Sequence, residues 1–261
     1  MLLEKKNAVI YGAGGEIGST VARAFAREGA RVFLAGRTLA PIEALAEEIT
    51  RAGGRAEAAQ VDALDQQAIE KHLAEVVQKT GGIDIAFNLI GIGYEQGEPL
   101  TEMTLESFTL PIADAMKTQF LTTTAAARHM SKKGSGVILA ITATPGRNFI
   151  ANSGSFGIAC AAIEGLCRQL AGELGPQGIR VICLRSAGSP DLPKLGEFFR
   201  QLAELAGVSR EEFEANIAER TLLKRLPKAA EVANAAVLMA SDYASAMTAE
   251  VANVTCGETV D

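Results

Sequence analysis

The chain has 261 residues, 48% of them apolar, and a formal charge of -6. Its length suits one large α/β domain, and that apolar share is enough for a sizeable core. An acidic chain whose basic runs are no longer than pairs such as Lys132–Lys133 is a poor match for nucleic acid or an anionic membrane, and no apolar run approaches the roughly 20 residues that cross a bilayer. In chain order, MLLEKK passes from two leucines straight to charge, without the apolar core of a signal peptide. NAVIYG (Asn7–Gly12), RVFLAG (Arg31–Gly36), AEAAQVD (Ala56–Asp62) and IDIAFNLI (Ile83–Ile90) predict strands, followed by GVILAITA (Gly136–Ala143), RVICLRS (Arg180–Ser186) and VANVT (Val251–Thr255). Between them STVARAFAREG, PIEALAEEITRAG and QAIEKHLAEVVQKTG keep their apolar residues on one face and end near a glycine. Near-continuous apolar strands joined by crossover helices predict an α/β fold. The sheet is expected to be Rossmann-type, doubly wound and parallel, of about seven strands with helices on both faces. The whole chain, 1–261, reads as a single domain. A lid-like helical insertion is expected at about 188–226, where LGEFFRQLAELAG and SREEFEANIAER occur without a strand.

The turn YGAGGEIG (Tyr11–Gly18) follows the first strand and opens the first helix. Glycines there permit a tight turn, close approach of a pyrophosphate and helix-on-strand packing, and the helix N-terminus receives the phosphate. Gly12, Gly14, Gly15, Ile17 and Gly18 are therefore candidate nucleotide contacts. Glu16 would repel a phosphate that it faced, and is expected to point to solvent. After the second strand Arg37 stands where a carboxylate would favour NAD(H); an arginine suits a 2′-phosphate, so NADP(H) is expected over NAD(H). Asp62, ending the third strand, is placed to accept from an adenine amine or to cap the helix starting near Leu64.

Together with IDIAFNLIG (Ile83–Gly91), AAIEGLCRQLAGELGPQGIRV (Ala161–Val181) and the C-terminal LLKRLPKAAEVANAAVLMASDYASAMTAEVANVTCG, these pieces resemble the short-chain dehydrogenase/reductase family over essentially the whole chain. The resemblance implies a nicotinamide cofactor and adds Asn88, Gly91 and Gly188 to the cofactor-binding candidates. It also exposes departures. Glycines 12, 15 and 18 follow a GxxGxxG spacing where the shorter members carry TGxxxGxG. The family's catalytic Asn falls on Ala115, its Ser on Ala143, its Tyr on Phe156 and its Lys on Cys160; Ser153 occupies the Tyr position of the wider enoyl-reductase spacing.

Reduction of a ketone by hydride creates an alkoxide that must be protonated, a task for a phenol of pKa about 10 lowered by an ammonium. Phenylalanine has no such proton, and a positioned general acid contributes about 10²–10⁴ in rate. Thr142, Thr144 and Tyr94 are the possible substitutes, while Cys160 reads as a core residue and His72 and His129 as structural. Cys160, Cys167, Cys183 and Cys256 form no CxxC pair and have no metal-ligand spacing, which predicts free thiols, no metal and a cytoplasmic location. Two functions follow. One is an oxidoreductase with altered or weak hydride transfer to a small carbonyl or enoyl substrate; the other is a non-catalytic cofactor-binding pseudoenzyme serving an unknown protein partner. A lyase reading is set aside because the glycine-rich turn persists. Small and apolar residues on Thr118–Ala127 and Ala159–Leu170, helices that pair between subunits in the resembled family, predict a homodimer or homotetramer, with burial inside the monomer as the alternative.

Overall fold

A computed structural model describes residues 1–93 and 98–260. Seven strands, β1 (Asn7–Tyr11), β2 (Arg31–Gly36), β3 (Arg55–Gln60), β4 (Ile85–Asn88), β5 (Gly136–Ala143), β6 (Ile179–Ser186) and β7 (Glu250–Val254), form one sheet in the order β3-β2-β1-β4-β5-β6-β7. Every pairing is parallel, with Tyr11 opposite both Ala35 and Asn88. The predicted strands are all present, shortened or shifted by a residue or two at their ends.

Alternation along the strands divides the apolar residues between two cores, as a sheet covered on both faces requires. Ala8 and Ile10 of β1 and Leu139 of β5 face one core. It is closed by α1 (Glu16–Arg27), α2 (Leu39–Arg51) and α8 (Ala229–Ala240). Val9, Tyr11 and Ile138 face the other, closed by α3 (Gln66–Thr80), α4 (Leu105–Lys133) and α5 (Phe156–Leu174). Local chemistry sets the helix ends. The Asp65 carboxylate accepts from the Gln67 and Ala68 amides at 2.9 and 3.1 Å to start α3, and Gly81, at φ 81°, ends it in the left-handed conformation that glycine tolerates. Asp62 instead closes a short turn, accepting from the Leu64 amide at 3.0 Å, so the expected cap falls three residues later.

Between β6 and α8 the chain makes two helices, α6 (Pro193–Ala206) and α7 (Arg210–Ala218). Phe199 of α6 packs edge-on against Phe213 of α7, with ring centroids 5.8 Å apart. The same ring lies over Gly188, where a Cβ would come within 2.6 Å of it. Two hydrogen bonds tie this excursion to the rest of the chain and a third braces it internally. Asp191 accepts from the Ala229 amide at 3.1 Å, Arg210 donates to the Pro190 carbonyl at 3.0 Å, and the Lys194 amide donates to Glu16 at 2.9 Å. Among the described residues no helix is long and apolar enough to cross a membrane.

Candidate cofactor cleft and hydride-transfer site

The strand order reverses between β1 and β4, and crossover helices leave that point in opposite directions, opening a crevice at the carboxyl edge. A cleft of about 410 Å3 occupies it, walled by the ends of β1 to β4 and by Pro111, Asp114, Ala115 and Thr118 of α4. Gly12, Gly15, Arg37, Asp62 and Gly91 all line it. Two of the turn's glycines are demanded by the protein's own backbone. Gly12 has φ 76° and would press a Cβ to 2.6 Å from the Leu89 carbonyl oxygen, and a Cβ on Gly18 would overlap the Gly12 carbonyl. Gly14 and Gly15 are exposed and face looser limits, so they leave the approach to α1 unobstructed.

These residues fit a dinucleotide. Helix α1 starts on Gly15 with no capping side chain, so its first-turn N–H groups and the positive end of its dipole are available to an anion. Arg37 is exposed and has no ion-pair partner among the described residues, while the Asp62 carboxylate borders the same space. Asn88 and Ile17 do their work behind the cleft. The Asn88 amide donates to Thr122 at 2.9 Å and accepts from the Ile90 amide at 3.0 Å, fixing β4 to α4 and turning the chain beyond it. Ile17 packs against the core under α1. Glu16 does not point to solvent. It is half-buried and turned across the glycine-rich turn onto the amino end of α6, because that helix also presents uncapped N–H groups.

Deeper on the cleft's β1 wall, Tyr11 is 1% exposed and meets His72 of α3 edge-on, with ring centroids 6.2 Å apart. The Tyr11 hydroxyl and His72 Nδ1 have no hydrogen-bond partner among the described residues. Burial pushes the Tyr11 phenol up and the His72 imidazole down to about 4.

The β5–β6 end is built differently. Ala143, Gly146 and Cys160 come together: the Cys160 thiol has a hydrogen bond with the Ala143 backbone, and a Cβ on Gly146 would stand 3.0 Å from that of Cys160. Cys160 is fully buried, and burial pushes its thiol up to about 11. Phe156, the first residue of α5, is half-buried. Behind Cys160, Arg185 of β6 forms a two-pronged ion pair with Glu164 of α5, at 2.9 and 2.8 Å, and both are nearly inaccessible. The Thr142 hydroxyl donates to the same Glu164 at 3.0 Å, which removes it from the surface where a proton donor would stand. Thr144 is also buried, but its hydroxyl meets the Glu258 carboxyl, which burial holds above the usual carboxylate range. Asn148 anchors that segment by donating to the Glu258 carbonyl at 3.3 Å. Tyr94, the third substitute, lies outside the described residues. Cys160 and Cys167 are both buried within the single chain.

Glu164, Arg185 and Glu258 were not legible as site residues. The one sequence signal was Arg185 directly after the apolar run VICL (Val181–Leu184).

A model described as enoyl-(acyl carrier protein) reductase matches residues 12–259. The short-chain reductase protein NovJ of Streptomyces niveus is 30% identical, over 96% of this chain and 92% of its own length. The 7alpha-hydroxysteroid dehydrogenase of Escherichia coli (strain K12) is 29% identical, over 98% of this chain and 94% of its own. Among solved structures, sorbitol-6-phosphate 2-dehydrogenase SrlD from Erwinia amylovora superposes with a TM-score of 0.91 at 27% identity, covering 97% of this chain and 100% of that one.

Proposed function

The chain belongs to the short-chain dehydrogenase/reductase family of oxidoreductases, and from that premise we propose that it binds NADP(H) in the cleft and performs an altered hydride transfer on a small carbonyl or enoyl compound. The family uses nicotinamide dinucleotides. NADP(H) is favoured over NAD(H) because the Arg37 guanidinium, exposed on the cleft wall, suits a 2′-phosphate better than a ribose hydroxyl. Gly12, Gly15 and Gly91 admit the backbone-hugging part of the ligand, and Asp62 accepts from its adenine amine.

The altered chemistry is carried by one observation: Cys160 is a buried, protonated thiol against Ala143, leaving neither ammonium nor hydroxyl where the resembled enzymes carry them. The cofactor, when bound, supplies the hydride. Addition to an activated C=C leaves an enolate, far less basic than an alkoxide, so a weaker proton source suffices. Thr144 beside Glu258 is that source: the Thr144 hydroxyl passes a proton to the enolate carbon and takes one back from Glu258 where that carboxyl, raised by burial, carries it, leaving a carboxylate. NADPH and NADH oxidation against panels of enoyl thioesters, ketones and aldehydes tests this. Turnover is expected with enoyl substrates and NADPH, and no rate above the no-protein control with any pair overturns it.

A second reading, a cofactor-binding protein without turnover, is favoured by the set Ala115, Ala143, Phe156 and Cys160 occupying all four family positions. The triple variant A143S/F156Y/C160K separates the two. A gain of about 10²–10⁴ over the unmodified chain supports the non-catalytic reading, and equal rates refute it. A homo-oligomer follows from exposed apolar side chains on the outer faces of α4 and α5, Phe120 at 53% and Ile158 at 43% exposure among them. Light scattering after size exclusion reads the subunit number. Free buried thiols accord with a cytoplasmic location.

A further inference from the structure

Glu16 is the one charged residue in the glycine-rich turn, and the structure gives it a specific occupation. It is the first residue of α1, at the end where the cleft's helix N-terminus would meet a dinucleotide's pyrophosphate. Its carboxylate is turned toward the start of α6, accepting from the Lys194 amide at 2.9 Å across 178 residues of sequence. Helix α6 opens on Pro193 and, like α1, has no side-chain cap of its own. One carboxylate thus serves the positive ends of two helices. In the segment leading into α6 the Ser189 hydroxyl, 1% exposed, has no hydrogen-bond partner among the described residues. The excursion is held in this position by contacts at its ends, and one of those contacts is a negative charge beside the anion seat.

We propose that Glu16 is an internal competitor for the pyrophosphate: its bond to Lys194 latches α6 over the glycine-rich turn, and a bound dinucleotide and the latch exclude one another. This rests on the reading that the cleft holds NADP(H). Two like charges cannot share one helix N-terminus without repulsion, and at this solvent-facing contact the repulsion is strongest at low ionic strength. Cofactor entry therefore displaces the Glu16 side chain, frees the Lys194 amide and releases α6. The affinity of the chain for a dinucleotide is set low, and the position of α6 reports whether the cleft is filled.

The test combines calorimetric titration of the full chain with NADPH and amide exchange over residues 194–197, for the wild type, E16Q and E16G. Removing the charge is expected to tighten NADPH binding in the order E16G, E16Q, wild type, by about tenfold between the extremes. The Lys194 amide is expected to be protected in the free wild type, to lose protection on saturation with NADPH, and to be unprotected in E16G throughout. E16Q retains an acceptor oxygen without the charge, so it keeps the contact while relieving the repulsion, and covers the case in which E16G does not fold. Equal affinity in wild type and E16Q, or Lys194 protection that persists or rises with NADPH, overturns the competition while leaving the cofactor reading intact. Failure of every folded protein to bind NADPH or NADH overturns the cofactor reading and the competition with it.

Discussion

Along the carboxyl edge of the sheet, the β1–β3 end is open, lined by glycines and the exposed Arg37 guanidinium, whereas the β5–β6 end is filled with a thiol, a methyl group and a buried ion pair. The first end keeps what recognition needs: backbone that a ligand can approach and a helix terminus without a cap. The second has exchanged exposed, titratable groups for satisfied, inaccessible ones. Both ends hang on the same seven strands, and the contrast can be probed one end at a time.

The largest expected effect is at the closed end. Replacing Arg185 by Met leaves Glu164 as a buried charge without its partner and should cost about 3–5 kcal/mol in urea unfolding. The double change Glu164→Leu with Arg185→Met should recover most of that loss. If the single variant is as stable as the wild type, the pair does not hold α5 to β6.

The next effect is at the open end and depends on pH. His72 is held neutral by burial, with a folded pKa of about 4 against 6.5 when unfolded. The unfolded chain therefore binds a proton first as pH falls. The contribution is fully present above pH 6.5 and is lost between 6.5 and about 4, to a total of about 3 kcal/mol. Chemical denaturation across that window should show the loss in the wild type, and a His72→Phe variant should lack that component.

How much of this contrast was legible in the sequence depended on the range of the interaction. The seven strands and the helices after the first three could be read from runs of a few residues, because alternation and end-capping are local. Gly18 was legible for the same reason, since the Gly12 carbonyl of the same turn bars its Cβ, whereas Gly12 answers both to its own positive φ and to the distant Leu89 carbonyl. Asp62 was misplaced as a cap by three residues, since Asp65 offers an equivalent carboxylate and only the actual helix start at Gln66 decides between them. Glu16 was expected in solvent because its partner lies 178 residues away, and the amide that attracts it carries no side-chain signature. The Glu164–Arg185 pair was hidden likewise, since a helix and the next strand meet there only after the crossover is made. Glu258 was hidden by distance from Thr144 along the chain.

The smallest expected effect returns to the open end. Arg37 is exposed, so its attraction for a 2′-phosphate is screened by salt. Arg37→Glu should weaken NADPH relative to NADH by about tenfold at low ionic strength, and by less at high. Unchanged selectivity between the two cofactors would remove Arg37 from the discrimination.

Three of the four cysteines, Cys160, Cys167 and Cys183, lie at 0–4% exposure, and only Cys256 reaches the surface. Burial raises the Cys160 thiol, and contact with Cys167 together with burial raises that of Cys183. Oxidants and alkylating reagents attack the thiolate, so the native protein should take up iodoacetamide at a single position while the denatured chain takes it up at all four. The slow appearance of label on Cys160 then becomes a clock for the detachment of α5 from the sheet, readable by mass spectrometry without any substrate.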